Sequence, residues 1–195
     1  MKGEGQLSPV VMAVLALLAG EPMHVYRMQQ LIKERGVDMV VNVRNRSGLY
    51  AAIERLARDE LIDVHAVERD TRHPERTVYA LTPRGRDALL AGLRQSLASP
   101  NPEFPSFPAA VSFLYLLSPY DARRQLSQRA EELDTRLAGT RRVIAESVRH
   151  GVPRLYLLEH QYTEGVIEAE LNWIRTVCAD IDAGTLTWEE HFRTS

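Results

Sequence analysis

Asn45-Arg46-Ser47-Gly48-Leu49-Tyr50-Ala51-Ala52-Ile53-Glu54-Arg55-Leu56-Ala57-Arg58-Asp59-Glu60-Leu61 places Leu49, Ile53 and Leu56 at spacings of four and three, the period of one apolar helix face. The spacing predicts a helix from about Ser47 to Glu60, with those three side chains inward and Tyr50, Arg55 and Arg58 outward. About ten residues further on stands a basic turn, Thr71-Arg72-His73-Pro74-Glu75-Arg76. On the near side of that turn, Leu61 to Asp70 alternates, Ile62, Val64 and Ala66 against Asp63 and His65; on the far side, Arg76 to Leu81 carries Val78, Tyr79 and Leu81. Alternation on either side of a turn containing Pro74 reads as a two-stranded hairpin with cations at its tip.

Upstream, Ser8-Pro9 supplies a cap and a first helical residue, and the run from Pro9 to Ala19 is apolar nearly all round, so it should lie buried between neighbours. A second helix, about His24 to Arg35, puts Val25, Met28, Leu31 and Ile32 on one face and stops at Gly36. Downstream of the hairpin, Thr82-Pro83 caps a fourth helix to about Leu97. Three helices, a two-stranded wing and a closing helix make a winged helix-turn-helix over residues 1–98.

Pro100, Pro102, Pro105 and Pro108 crowd one stretch where proline opposes both helix and strand, so residues 99–108 read as a linker. Beyond it, residues 109–195 read as helical. Ala109 to Leu117 is a short apolar helix, and Ser118-Pro119 opens a long one to about Arg149. Along the long helix Leu126, Ala130, Leu133, Leu137, Thr140 and Ile144 keep the 3.5-residue period of a coiled-coil seam. A last helix, about Pro153 to Ala183, carries Leu155, Leu158, Tyr162, Val166, Ala169, Trp173 and Val177 on one stripe and ends at Gly184. Two such helices alone make a thin core. Their seams are expected to serve a homodimer as well as an intramolecular hairpin. The fold class expected is mainly α, a winged helix-turn-helix domain followed by an α-helical dimerisation domain.

Composition sets bounds on function. With 195 residues, 45% of them hydrophobic, the chain has the makings of one or two globular domains. Its one cysteine, Cys178, excludes an intramolecular disulfide and a cysteine-rich zinc module, in keeping with a cytoplasmic setting. Lys2 followed by the apolar Val10 to Ala19 has the outline of a secretory signal, but the cap at Ser8 and the stop at Gly20 read better as a core helix, and the run is short for a membrane span. Residues 1–98 hold 14 Lys/Arg against 12 Asp/Glu, and residues 99–195 hold 10 against 14. The first half is mildly cationic, and what matters for phosphate is where those charges cluster.

They cluster where the winged helix would meet a duplex. Asn45, Arg46, Ser47, Tyr50 and Arg55 surround the predicted recognition helix, whose N-terminus offers free N–H groups and a dipole suited to phosphate. Arg and Asn side chains can form bidentate hydrogen bonds to guanine or adenine edges in the major groove. Arg72, His73 and Arg76 on the wing are placed for phosphates or an adjacent minor groove.

These residues resemble the PadR family of bacterial winged-helix regulators. Glu21-Pro22-Met23-His24-Val25-Tyr26 stands where the family has a Gly-Pro-x-His-Gly-Tyr-like turn, and Ser47-Gly48-Leu49-Tyr50-Ala51 where it has Gly-Ser-Leu-Tyr-Pro. Tyr79-Ala80-Leu81-Thr82-Pro83-Arg84-Gly85-Arg86 matches the family's Tyr-x-Leu-Thr-Pro-x-Gly-Arg. Leu117-Ser118-Pro119 and Glu168-Ala169-Glu170-Leu171-Asn172-Trp173 are similar to the longer-tailed members, whose helical tails dimerise. Three departures, Val25 for glycine, Ser47 and Gly48 in reversed order, and Ala51 for proline, fall where the chain would approach DNA, so no operator sequence carries over.

The resemblance implies a homodimeric transcriptional repressor whose partners are a double-stranded DNA operator and a small, often aromatic effector, with no membrane. Tyr115, Tyr156, Tyr162 and Trp173 are the candidate effector contacts, since flat rings can stack on an aromatic ligand. The competing reading is a winged-helix protein-interaction module without DNA binding. No cofactor or catalytic site is expected: the chain has no Gly-x-Ser-x-Gly elbow, phosphate-binding glycine loop or His-Glu-x-x-His. His160 and Glu164, at i and i+4, lack a third metal ligand nearby in sequence, and no metal site is assigned.

Overall fold

A computed structural model of the chain describes residues 7–34, 36, 41, 46–70, 73–100 and 104–188, leaving out the side chains of residues 46, 68–70 and 73–75. It divides into two compact units, Met1–Pro102 and Glu103–Ser195.

In the first unit, helix α1 (Pro9–Leu18) starts where Ser8 Oγ accepts the Val11 N–H at 3.4 Å, and Pro9 occupies the first helical position. Val11, Val14, Leu15, Leu17 and Leu18 are buried, too many for one face, so α1 is the central post of the core. Helix α2 (Val25–Glu34) buries Val25, Met28, Leu31 and Ile32 against it. Gly36 follows in the left-handed conformation, φ 68°, that a glycine adopts without steric cost. Helix α3 (Arg46–Arg58) adds Leu49, Ala52, Ile53 and Leu56. Full burial of a leucine or isoleucine stabilises by roughly 1.5–3 kcal/mol, so this face holds α3 firmly in place.

The sheet departs from the sequence expectation in two ways. It has three strands, not two: β1 (Met23–His24), β2 (Ile62–Asp70) and β3 (His73–Leu81), antiparallel in the order β1-β3-β2. Met23 lies opposite Tyr79 and His24 opposite Val78, and two residues are too few to show a period. Second, of the alternating apolar set Ile62, Val64 and Ala66, only Ile62 is buried. Val64 and Ala66 are exposed, as is Val67. Val64 pairs with Tyr79 and Ala66 with Val78, which leaves His65 as an extra residue in a bulge that resets the alternation.

Helix α4 (Pro83–Ala98) begins at Thr82, whose Oγ1 accepts the Gly85 N–H at 2.9 Å. Gly92, further along, leaves room for Leu7, whose side-chain carbons would lie 2.7 Å from a Cβ at that position.

The second unit opens earlier than the proline spacing indicates. Helix α5 (Ser106–Ser112) precedes a 3-10 turn, Leu114–Leu116, in place of one helix from Ala109 to Leu117. Pro105 is the N-cap and Pro108 falls in the first turn, where an N–H has no intrahelical acceptor, so the prolines start the helix instead of blocking it. Helix α6 (Pro119–Arg149) is capped by Ser118 Oγ on the Asp121 N–H at 3.2 Å. It buries Leu126, Leu133, Leu137 and Thr140, with Ala130 and Ile144 half-buried on the same seam.

A second 3-10 turn, Arg154–Leu157, leads into helix α7 (Leu158–Asp182), which returns antiparallel to α6. Gly184 ends it at φ 69°, with the Thr185 N–H reaching back to the Asp180 carbonyl at 3.0 Å. Here the expected stripe is displaced. The α7 side chains buried against α6 are Ile167, Leu171 and Ile174, with Cys178 and Ile181 partly buried beside them. Leu155, Leu158, Tyr162, Val166, Ala169 and Trp173 are exposed, and of that stripe only Val177 packs into the seam. Val166 and Ile167 are one residue apart, about 100° around the helix. No described helix is long and apolar enough to cross a membrane.

Candidate nucleic-acid interface

The outer face of α3 is held by a junction where three elements meet. At the end of α3 Glu60 adopts φ 58°, a left-handed conformation that costs a residue with a Cβ about 1–2 kcal/mol. The turn is closed by the Leu61 N–H on the Leu56 carbonyl at 2.9 Å. Thr82 Oγ1 lies 2.9 Å from the Glu60 carbonyl and 3.1 Å from that of Leu61, and its N–H donates to the latter at 3.2 Å. A Cβ on Gly85 would stand 2.0 Å from the Leu61 carbonyl oxygen, so only glycine lets α4 come this close. One threonine and one glycine thus fasten the end of α3, the root of the wing and the start of α4. Arg84 to Glu60, at 3.2 Å on the surface, adds little.

On the outer side, Ser47, Gly48, Tyr50, Ala51, Glu54, Arg55 and Arg58 are exposed, Tyr50 at 50%. Nothing lies within 4 Å of a Cβ built on Gly48, so packing within the unit gives no reason for a glycine in this helix. Its effect is to leave the backbone of the first turns open to solvent. Ser47, Tyr50 and Arg55 therefore share the solvent face of α3, and Arg76 is half-buried on β3, opposite Glu68. Asn45 and Arg72 lie outside the described residues, as do the side chains of Arg46 and His73. The backbones of Arg46 and His73 open α3 and β3.

His24 has a defined local job that the motif alone does not reveal. Its Nδ1 accepts the Arg27 N–H at 3.1 Å, so the imidazole caps α2 with its proton on Nε2. Its ring stacks on Tyr26 with 6.2 Å between centroids. Tyr26 is exposed, and Arg27 is engaged with Glu34 at 3.3 Å.

The four candidate effector aromatics are spread over three elements. Tyr115 lies on the first 3-10 turn and Tyr156 on the second. Tyr162 and Trp173 stand about 16 Å apart along α7 at the usual helical rise. A groove along α6 is lined instead by polar groups, among them Tyr120, Arg123, Arg124, Ser127 and Asp182. Its main cation is already taken: Arg123 Nε and Nη2 each lie 3.0 Å from an Asp182 carboxylate oxygen. That hydrogen bonding holds the Asp182 carboxyl below its ordinary 3.8 and pushes the Arg123 guanidinium up. Arg141 is raised likewise, first by its hydrogen bond to Glu164 at 2.8 Å and also by Glu168, so Glu164 is engaged across the hairpin rather than with His160. No group of metal-ligating side chains occurs among the described residues. Cys178 is half-buried, with Ser127 Oγ 3.9 Å from its sulfur.

A helix-turn-helix with an exposed second helix and a projecting two-stranded wing defines the winged-helix class. Residues 14–91, within the first unit, match the model of the Transcriptional regulator PadR-like family. The fold extends over both units of solved structures. Bacillus subtilis PadR in complex with operator DNA superposes with a TM-score of 0.75 at 17% identity, over 90% of this chain and 99% of that one. The same protein in complex with p-coumaric acid gives 0.71 at 17% identity, again over 90% and 99%. The Vibrio cholerae virulence activator AphA gives 0.68 at 20% identity, over 90% and 99%. At these identities the likeness establishes the fold. No curated protein matches the sequence.

Proposed function

We propose that the chain is a homodimeric transcriptional repressor that binds a roughly palindromic operator in the cytoplasm. Each copy lays α3 in the major groove of one half-site and sets the wing on flanking phosphates. The observation that carries the reading is the division of α3 into a face locked in the core and a face bearing Ser47, Tyr50 and Arg55, laid open at Gly48. Half-sites one helical turn apart, about 34–36 Å, follow from twofold symmetry. Asn45 and Arg46 supply further base or phosphate contacts, and Arg72, His73 and Arg76 the wing contacts.

We assign dimerisation to the second unit. Tyr162, Val166, Ala169 and Trp173 form an apolar face on α7 that α6 leaves uncovered, and Gly165 among them has nothing within 4 Å of a built Cβ. A second copy of α7 fits such a face, because glycine and alanine admit a close helix approach flanked by larger side chains. To an aromatic effector site in the assembled dimer we assign Tyr115, Tyr156, Tyr162 and Trp173. An effector needs about 1–3 kcal/mol of differential affinity to switch occupancy. Bacillus subtilis PadR is known with operator DNA and with p-coumaric acid, which supports both halves of this reading, and AphA is named an activator.

The test is a mobility-shift assay with DNA upstream of the protein's own gene at two salt concentrations, alongside size-exclusion chromatography. A dimer whose DNA affinity falls steeply with salt is expected. A dimer indifferent to DNA at low salt would favour the protein-interaction reading, and a reporter gene driven by the bound segment separates repression from activation.

A further inference from the structure

We propose that Glu54, the one carboxylate on α3, is a specificity-determining residue that accepts a hydrogen bond from the exocyclic amino group of a cytosine in the major groove. The inference rests on the DNA-binding reading above and adds to it a base preference at one position of the site.

At about 100° per residue, the buried Leu49, Ala52, Ile53 and Leu56 occupy one side of α3, and the line directly opposite runs through Ser47, Ala51, Glu54 and Arg58. All four residues of that line are exposed, and Tyr50 and Arg55 flank it, one on each side. Glu54 therefore stands in the middle of the open surface and not at its rim. Gly48 and Ala51, in the turns before it, carry too little side chain to hold the helix away from a base edge, and a Cβ built on Gly48 meets nothing within 4 Å.

Nothing within the unit accounts for a carboxylate at this place. Among the described residues Glu54 makes no hydrogen bond or ion pair, although Arg58 stands four residues on, at a spacing that favours one. It also lies beyond the first turn of α3, where an acid gains from the helix dipole. The other charged residues of the helix are Arg46, Arg55 and Arg58, all suited to phosphate. A carboxylate is repelled by phosphate and weakens binding to every sequence alike unless it finds a donor. Being ionised, it can only accept. In the major groove guanine presents acceptors at N7 and O6, thymine an acceptor at O4, and adenine the N7 acceptor beside its N6 donor, whereas cytosine presents the N4 donor alone. Glu54 thus selects cytosine as much by repelling the other three bases as by bonding to this one.

The experiment enriches a duplex from a random library with the full wild-type chain. Binding of wild type, Glu54→Ala and Glu54→Gln is then measured to that duplex and to every single base-pair replacement in it. For wild type, one base pair of the enriched sequence, repeated in each half if the sequence is palindromic, should be a cytosine–guanine pair whose replacement weakens binding roughly ten-fold, about 1.4 kcal/mol. Glu54→Ala should reduce that preference to less than about two-fold and leave the preferences at other positions in place. It should also bind the duplexes lacking this cytosine more tightly than wild type does, because the repulsion is gone. Glu54→Gln, which sets a donor beside the acceptor, should move the preference to adenine. A cytosine preference kept in Glu54→Ala, or a change in affinity equal at every base pair, would overturn the proposal. A wild-type chain that enriches no duplex would instead overturn the DNA-binding reading itself.

Discussion

At the scale of single residues, two glycines of the first unit do opposite work. Gly85 exists for an internal contact, since a Cβ there would meet the Leu61 carbonyl at 2.0 Å and neither backbone can yield cheaply. Gly85→Ala should destabilise the unit by at least ~2 kcal/mol, a fall in Tm of about 10 °C by differential scanning calorimetry. Gly48 has no internal contact, so Gly48→Ala should leave the fold as stable or stabilise it by ~0.5–1 kcal/mol while weakening DNA binding. A stability loss at Gly48 with unchanged binding would mean that the helix, and not the ligand, requires it. Side chains at the interface separate by role. Arg46→Ala, if the residue reads a base, should cost ~1–3 kcal/mol and blur one operator position, whereas Arg72→Ala should weaken all sequences alike and reduce the salt slope by ~1. Titrations of both variants over salt and over operator substitutions distinguish the two.

At the scale of elements, what was legible in the sequence followed from periods long enough to be read. The inward set Leu49, Ile53 and Leu56 and the caps at Ser8, Thr82 and Ser118 were evident because local chemistry decides them. β1 was not, since two residues have no period and Met23-His24 is extended only because β3 lies beside it. Nor was the phase of the wing, which His65 shifts through a bulge that no local signal announces. On α7 two apolar stripes coexist, each with a helical period, and only packing on α6 decides that Ile167, Leu171 and Ile174 turn inward. The solvent-exposed side of α3 was legible as polar residues opposite the apolar face, while the capping role of His24 needed the geometry. The uncovered stripe carries its own prediction. Val166→Glu should turn the proposed dimer into a monomer on size exclusion with its helical circular dichroism intact, and a persistent dimer would move the interface elsewhere. The antiparallel pair of α6 and α7 also has a pH signature at its open end. Asp182 is held below its ordinary 3.8 by Arg123, so its contribution is full above that value and is lost as pH falls through the lower folded value. Asp182→Asn should therefore narrow the stability difference between pH 6 and pH 3 in denaturant titrations, and an unchanged difference would show the pair to be inert.

At the scale of the whole molecule, the account joins two requirements that neither unit meets alone. In the proposed function a single winged helix offers one short reading face with a modest cationic excess, and the helical hairpin leaves an apolar stripe uncovered. In the proposed dimer, twofold pairing of the second unit would present two copies of the first to a duplex, doubling the contacts and imposing a spacing. Site-specific photo-crosslinking of the full chain to its selected duplex tests this most directly, with the photoreactive side chain placed at position 50 on α3, at position 76 on the wing, or at position 131 on the outer side of α6. The account predicts DNA adducts from positions 50 and 76, competed away by unlabelled operator, and none from position 131. Adducts from position 131 with none from position 50 would contradict it, because the duplex would then be held by the helical unit and the open face of α3 would serve some other partner.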